Sequence, residues 1–192
     1  MDARDEEPDE LWLVRHGETE WSRDGRHTGT TEVPLTPHGE EVARGLRERL
    51  AGIAFGLVLT SPRERARTTA ELAGFPDAHV EEGLAEWDYG DYEGITTAEI
   101  RERVPGWTLW SDPCPHGETA AQVRARMDRV LAKVRAHGGR VLAFSHGHAS
   151  RALAARWLGQ PVTDGRLFSL GTATISVLGY EHGGPVVDRW NS

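Results

Sequence analysis

Three short stretches carry side chains that could do chemistry on an anion: "VRHGE" at 14–18, "LTSPRERA" at 59–66 and "FSHGH" at 144–148. Each continues an apolar run of strand length. The first and third share one pattern, a strand followed by His-Gly, which places His16 and His146 in matching positions. Between them comes an arginine-rich helix start that contains Arg65. Arginine offers a planar fork of donors suited to two oxygens of one oxyanion. Helix starts add free backbone N–H groups and the positive end of a dipole. A neutral imidazole can act as a nucleophile, and neighbouring guanidinium groups disfavour its protonated form. Arg15, His16, Arg65, His146 and local amides therefore describe an anion pocket. The plainer alternatives are ion-paired arginines and histidines satisfied at strand ends.

The elements that must position these residues are marked in the sequence. "LWLV" reads as a buried strand, and Gly17 permits a sharp exit or a close backbone approach. A turn-rich stretch, 22–36, leads to a helix capped by Thr36, with Pro37 first and Val42, Leu46 and Leu50 on its inner face. "FGLVLTS" is a second strand, and "SPRERARTTAELAG" a helix closed by Gly74. A short strand over 78–80 and the acidic, aromatic loop "LAEWDYGDYEG" come next. "TTAEIRERV" is a short helix, and "GETAAQVRARMDRVLAKVRAHGG" a long one whose arginines form a solvated face. "RVLAFS" is a strand, "ASRALAARWLG" a helix, and "ATISVLGYE" and "GPVVDRW" are late strands. Strands alternating with helices predict one α/β domain of three layers over 11–192, a mostly parallel sheet flanked by helices. Open sheets of this kind place ligands at the carboxyl ends of their strands.

Composition narrows the classes further. The 192 residues carry 22 basic and 30 acidic side chains, a formal charge of −8. Such a chain is a poor general binder of nucleic acid or of an anionic membrane, although converging arginines can still hold a small anion. Residues 1–10, "MDARDEEPDE", have no apolar pattern and read as an acidic, disordered tail without the apolar core of a signal peptide. No run approaches membrane-spanning length. One cysteine, Cys114, excludes an intrachain disulfide and makes a reducing cytoplasm the expected location. Cys114 also does not open a cysteine-phosphatase loop, because Ala120 stands where an arginine would be required.

With these motifs in order, the chain resembles the histidine phosphatase superfamily, the phosphoglycerate-mutase-like enzymes. "LVRHGETEW", "SPRERARTTAE", "LAEWDYGDYEG" and "FSHGH" are similar to the family's successive motifs and span residues 11 to about 151. "EWDYGDYEG", "HTGTTEVPLT" and "CPHGET" look closest to its sugar-phosphate and broad-specificity acid phosphatases. The resemblance implies a metal-independent phosphomonoesterase that needs no cofactor and acts on a small phosphorylated metabolite. His16 would become phosphohistidine. Arg15 and Arg65 would bind the phosphoryl group, and His146 would hydrogen-bond it. Glu86 would protonate the leaving oxygen and then help activate water, aided by the bound dianion and the ring of Trp87. Thr28, Gly29, Tyr89 and Arg151 match positions that contact substrate, with Gly147 beside His146. Ser22 stands where many members carry asparagine, and it reaches less far toward a phosphate. A homodimer is among the states the related enzymes adopt.

Other readings compete at several points. Asp88, Asp91 and Glu93 rival Glu86. His148 is either a specificity residue or an ordinary helix-start histidine, and His27 and His116 read as loop histidines. Tyr89 could be core packing, Arg151 a solvated arginine, and Trp107, Trp110 and Trp157 core or pocket wall. At the level of function, the runner-up is a phosphoglycerate mutase. Against it, the stretch "VPGWTLWSDPCPHGE" has no Lys or Arg where mutases carry a basic insertion, and His148 replaces their asparagine; a less basic, more open pocket is expected. A metallohydrolase using "HGH" lacks a carboxylate at fixed spacing. A non-catalytic phosphometabolite binder leaves the full set of turnover residues unexplained.

Overall fold

The computed structural model describes residues 9–192. Its strands are β1 (Glu10–Arg15), β2 (Leu57–Thr60), β3 (His79–Val80), β4 (Arg140–Ser145), β5 (Ile175–Glu181) and β6 (Gly184–Arg189). Its α-helices are α1 (Glu20–Arg23), α2 (Pro37–Leu50), α3 (Glu64–Leu72), α4 (Thr97–Arg103), α5 (Ala120–His137) and α6 (Gly147–Trp157). The six strands form one sheet in the order β3-β2-β4-β1-β5-β6. β3, β2, β4 and β1 run parallel, and β5 and β6 add an antiparallel edge.

The three layers arise from alternation along the strands. Leu11 and Leu13 of β1, with Val141 and Ala143 of β4, join one core cluster; Trp12, Val14, Leu142 and Phe144 join the other. Successive strand side chains point to opposite faces, so the two clusters are the two faces of the sheet. Val123, Met127 and Val130 of α5 and Ala152 and Leu153 of α6 cover the first face. Leu46 and Leu50 of α2 and Ala70 of α3 cover the second.

Local chemistry fixes the helix ends. Thr36 accepts from the Gly39 N–H with Pro37 in the first turn, as the sequence predicts. Thr119 and Gln122 form a reciprocal capping box at the start of α5, which ends on Gly138 at φ 74°. Three expectations are corrected. Val42 is exposed, because α2 buries Gly39, Ala43, Leu46 and Leu50 and Val42 lies beside that stripe. α6 begins at Gly147, directly after β4, and not at Ala149. Of the acidic tail, residues 1–8 lie outside the described residues, while Glu10 already belongs to β1 and the Asp9 carboxylate accepts from the Gly139 N–H at 2.7 Å.

The order of strands creates the site. β1 and β4 are central parallel neighbours with Arg15 opposite Ser145, so both His-Gly ends emerge side by side. After β1 the chain turns at Gly17, whose N–H donates to Thr69 Oγ1 at 2.9 Å. A Cβ at Gly17 would meet the Gly39 carbonyl oxygen at 2.6 Å, so only glycine lets this turn pack on the start of α2.

Candidate active site

His16 and His146 have ring centroids 5.2 Å apart. His16 Nδ1 donates to the Gly17 carbonyl at 2.7 Å. A carbonyl only accepts, so the neutral ring carries its proton on Nδ1 and keeps a lone pair on Nε2. Burial pushes the His16 pKa well below 6.5, and the guanidinium groups of Arg15 and Arg65 push it further. The arginines thus act as the sequence suggests, but desolvation is the larger cause. His16 is held in the form a nucleophile needs.

His146 is fully buried, and its Nε2 meets Ser61 Oγ at 2.7 Å. Ser61 Oγ accepts from the Arg63 N–H at 3.2 Å, which leaves its own proton for His146 Nε2. The His146 proton then sits on Nδ1, which is buried without a partner. Burial first, then Arg65, His16 and Arg15, hold this ring's pKa well below the ordinary value. Arg15 donates to the Leu170 carbonyl. Arg65 is fully buried and donates to the carbonyls of Thr28, Gly29 and Thr31 at 2.9–3.0 Å. Among the described residues neither guanidinium is in an ion pair, and both Nε atoms are buried without a partner. Three orphaned donors around one imidazole carry a desolvation cost, and an oxyanion with several oxygens would satisfy them.

Glu86 sits opposite, in the segment before Trp87. Its Oε1 accepts from the N–H groups of Trp87 at 2.9 Å and Ala149 at 2.8 Å, and its Oε2 from that of His148 at 3.0 Å. The carboxylate is therefore seated on the N-terminus of α6. Trp87 helps through its backbone, and its indole Nε1 donates to the Glu118 carbonyl at 2.9 Å. Of the acidic candidates, only Glu86 lines the cavity. Asp88 accepts from Gly90, Asp91 meets His116, and Glu93 accepts from Gly29 and Thr31.

The cavity in front of His16 has a volume of about 190 Å³. Arg15, Ser22, Thr28, Tyr89, Gly147 and Arg151 line it; Arg65, His146 and Gly29 are buried and are not among the lining residues. Ser22 has its hydroxyl engaged in the capping box with Thr19. Gly29 is a support for the loop, since its N–H goes to Glu93 and its carbonyl to Arg65. A Cβ there would meet the Trp87 carbonyl oxygen at 2.6 Å. Gly29 is not among the lining residues, and this support of the loop stands beside the contact with substrate that the resemblance implies.

His27 and Arg26 join the lining without being expected there, and His148 takes the first of its two expected places. His27 and His148 both face the cavity with rings 6.1 Å apart and nearly parallel. His27 Nδ1 donates to the Ile95 carbonyl at 2.8 Å. Tyr89 Oη meets His148 Nδ1 at 2.6 Å. Arg26 also lines the cavity, so the pocket is more basic than the 104–118 stretch suggests: its cations come from other segments. Arg126, read as solvated, is buried. It forms an ion pair with Glu118 at 2.8 Å and donates to the carbonyls of Gly83, Ala85 and Glu86. It thereby fixes the segment that presents Glu86. The one sequence hint was its place among Val123, Met127 and Val130 on the apolar face of α5. Among the described residues no group of three His, Cys, Asp or Glu could hold a metal ion.

The geometry can therefore present a neutral nucleophile, anion donors and a carboxylate to one small ligand. Comparisons with known proteins place the chain among relatives of one kind. An acid phosphatase of Mycobacterium tuberculosis is 47% identical over 177 residues, 90% of this chain and 87% of that protein. A sedoheptulose 1,7-bisphosphatase of Saccharomyces cerevisiae is 38% identical over 144 residues, covering 62% of this chain and 53% of its own. The solved structure of open reading frame Rv3214 from Mycobacterium tuberculosis superposes with a TM-score of 0.92 at 44% identity, over 98% of both chains. The histidine phosphatase superfamily (branch 1) matches residues 11–192, and the chain belongs to that family.

Proposed function

We propose that the protein hydrolyses phosphomonoesters of small metabolites through a phosphohistidine on His16. The observation that carries this reading is the neutral His16 ring, its bare Nε2 set among orphaned donors of Arg15, Arg65 and His146. Nε2 attacks phosphorus and the ester P–O bond breaks. The leaving oxygen takes its proton from Glu86, which returns to carboxylate. Glu86 then accepts a proton from water, whose oxygen displaces His16 and releases inorganic phosphate. The guanidinium groups balance charge on the phosphoryl oxygens in the transition state. Ser22, Thr28, Tyr89, Gly147 and Arg151 meet the rest of the substrate. No cofactor enters this scheme.

The likeness to an acid phosphatase and a bisphosphatase supports water as the acceptor. A reducing, cytoplasmic setting fits the single cysteine, whose thiol burial pushes up to about 12. Among the described residues no helix is long and apolar enough to cross a membrane. The negative chain has small phosphorylated metabolites as partners and neither nucleic acid nor membrane; a homodimer is the assembly we expect. The test supplies 3-phosphoglycerate, with and without 2,3-bisphosphoglycerate, and a panel of sugar phosphates, following isomer and free phosphate together. Phosphate from several substrates with trace isomerisation is expected. Rapid 2-phosphoglycerate formation with little free phosphate would overturn the reading in favour of a mutase.

A further inference from the structure

The cavity holds more cationic capacity than one phosphoryl group uses. Arg15, Arg26 and Arg151 line it and Arg65 is buried, against Glu86 as the acidic lining residue. These four guanidinium groups exceed the charge of a phosphoryl dianion whether Glu86 carries its proton or has given it up. Arg151, the fifth residue of α6, lines the same cavity. Its guanidinium lies 4.7 Å from the Trp110 ring centroid, and its Nε donates to the Gly165 carbonyl at 3.1 Å. Among the described residues no carboxylate pairs with it, and its two terminal nitrogens are bonded to none. The Trp110 face and the Gly165 carbonyl thus fix the fork and leave its outer donors to a ligand.

His148 adds a donor beside it. Tyr89 is almost fully buried, and its hydroxyl has His148 Nδ1 as its partner at 2.6 Å. A buried phenol needs an acceptor for its proton, so Tyr89 donates to Nδ1 and the His148 proton moves to Nε2. Burial, then Arg151 and His27, hold His148 neutral, and no described residue occupies its Nε2. Tyr89 therefore sets the tautomer that makes His148 a donor to the cavity.

We infer that Arg151 and His148 Nε2–H form a second oxyanion subsite, so that the preferred substrates are phosphomonoesters whose leaving group carries a further carboxylate or phosphate. The inference rests on the phosphatase reading for its first subsite, but it is a statement about binding and is tested as such. Calorimetry on His16→Ala, which cannot form the covalent intermediate, compares ligands in pairs. The pair 3-phosphoglycerate and glycerol 3-phosphate isolates a carboxylate; fructose 1,6-bisphosphate and fructose 6-phosphate isolate a second phosphate. At least one doubly anionic ligand should bind about tenfold tighter than its partner, the worth of one charge-assisted pair. Adding Arg151→Gln should bring that ratio close to one, Arg151→Lys should restore part of it, and Tyr89→Phe should lower it. Equal affinities within both pairs, or a ratio that survives Arg151→Gln, would overturn the subsite. Phosphate release by the wild-type protein from p-nitrophenyl phosphate reports separately on hydrolysis. A discriminating protein that releases none keeps the subsite and removes the phosphatase reading.

Discussion

The ends of β1 and β4 carry the same short pattern, strand then His-Gly, yet the two histidines differ in their surroundings. His16 lines the cavity with a bare Nε2, while His146 is fully buried with Nε2 tied to Ser61. The difference lies in the path of the chain beyond each glycine. After Gly17 the chain bends back against α2 and leaves space in front of the ring. After His146, the residue that precedes α6, the chain enters the helix at once, and the ring is fully buried. One local pattern thus yields an accessible nucleophile in one case and a buried, oriented donor in the other. Which is which depends on the next element.

The sharpest way to break this comparison is to remove each ring in turn. His16→Ala should lower kcat/KM by about 10⁴-fold or more, because the covalent route goes with it. His146→Ala should cost less, about 10²–10³-fold, the range for a lost transition-state donor. Steady-state kinetics on both folded variants decide it, and equal losses would make the two ends equivalent. Arg126→Met attacks the support of Glu86 and not the reacting atoms. It leaves Glu118 without its partner and should destabilise the fold by about 3–5 kcal/mol, read in a denaturant titration.

Those two sets of residues were not equally legible in the sequence. Arg15, His16 and His146 stand at the ends of apolar runs, and Thr36, Pro37, Gly74 and Gly138 mark helix ends by local chemistry. Such signals act within a few residues, so strands, helices and the floor of the site could be read off. The wall and its supports depend on partners far apart in the chain. Tyr89 and His148 are 59 residues apart, and Arg126 and Ala85 are 41 apart. Nothing near Arg126 announces the carbonyls it serves, and nothing near His27 announces the Ile95 carbonyl that orients it. The motif around Gly29 points to substrate, and nothing near it announces that Trp87 and Glu93 leave no room there for a side chain.

A smaller perturbation tests the orientation of the buried ring. Ser61→Ala removes the proton donor to His146 Nε2 and frees its tautomer. A fall in kcat/KM of about tenfold is expected, with kcat carrying more of it than KM, since the donor is needed most in the transition state. Unchanged kinetics would mean that Ser61 does not orient His146. The same burial has a pH signature. His16, His27, His146 and His148 all have pKa values lowered first by desolvation. Below the ordinary imidazole value of 6.5 the unfolded chain takes up protons that the folded chain refuses. Stability is complete above that pH and declines as pH falls below it, by about 1.4 kcal/mol per pH unit for each ring kept neutral. Thermal unfolding at pH 7.5, 6.0 and 5.0 should show a falling midpoint, and a midpoint flat over that range would contradict rings held neutral by burial.

The most direct measurement traps the intermediate. Enzyme mixed with a ³²P-labelled phosphomonoester is quenched within one turnover, in alkali or in acid, and the protein-bound label is mapped. A label on His16 that survives alkali and is lost in acid is the expected result, since the bond is a phosphoramidate. No protein-bound label, a label on another residue, or full labelling and turnover in His16→Ala would contradict the account.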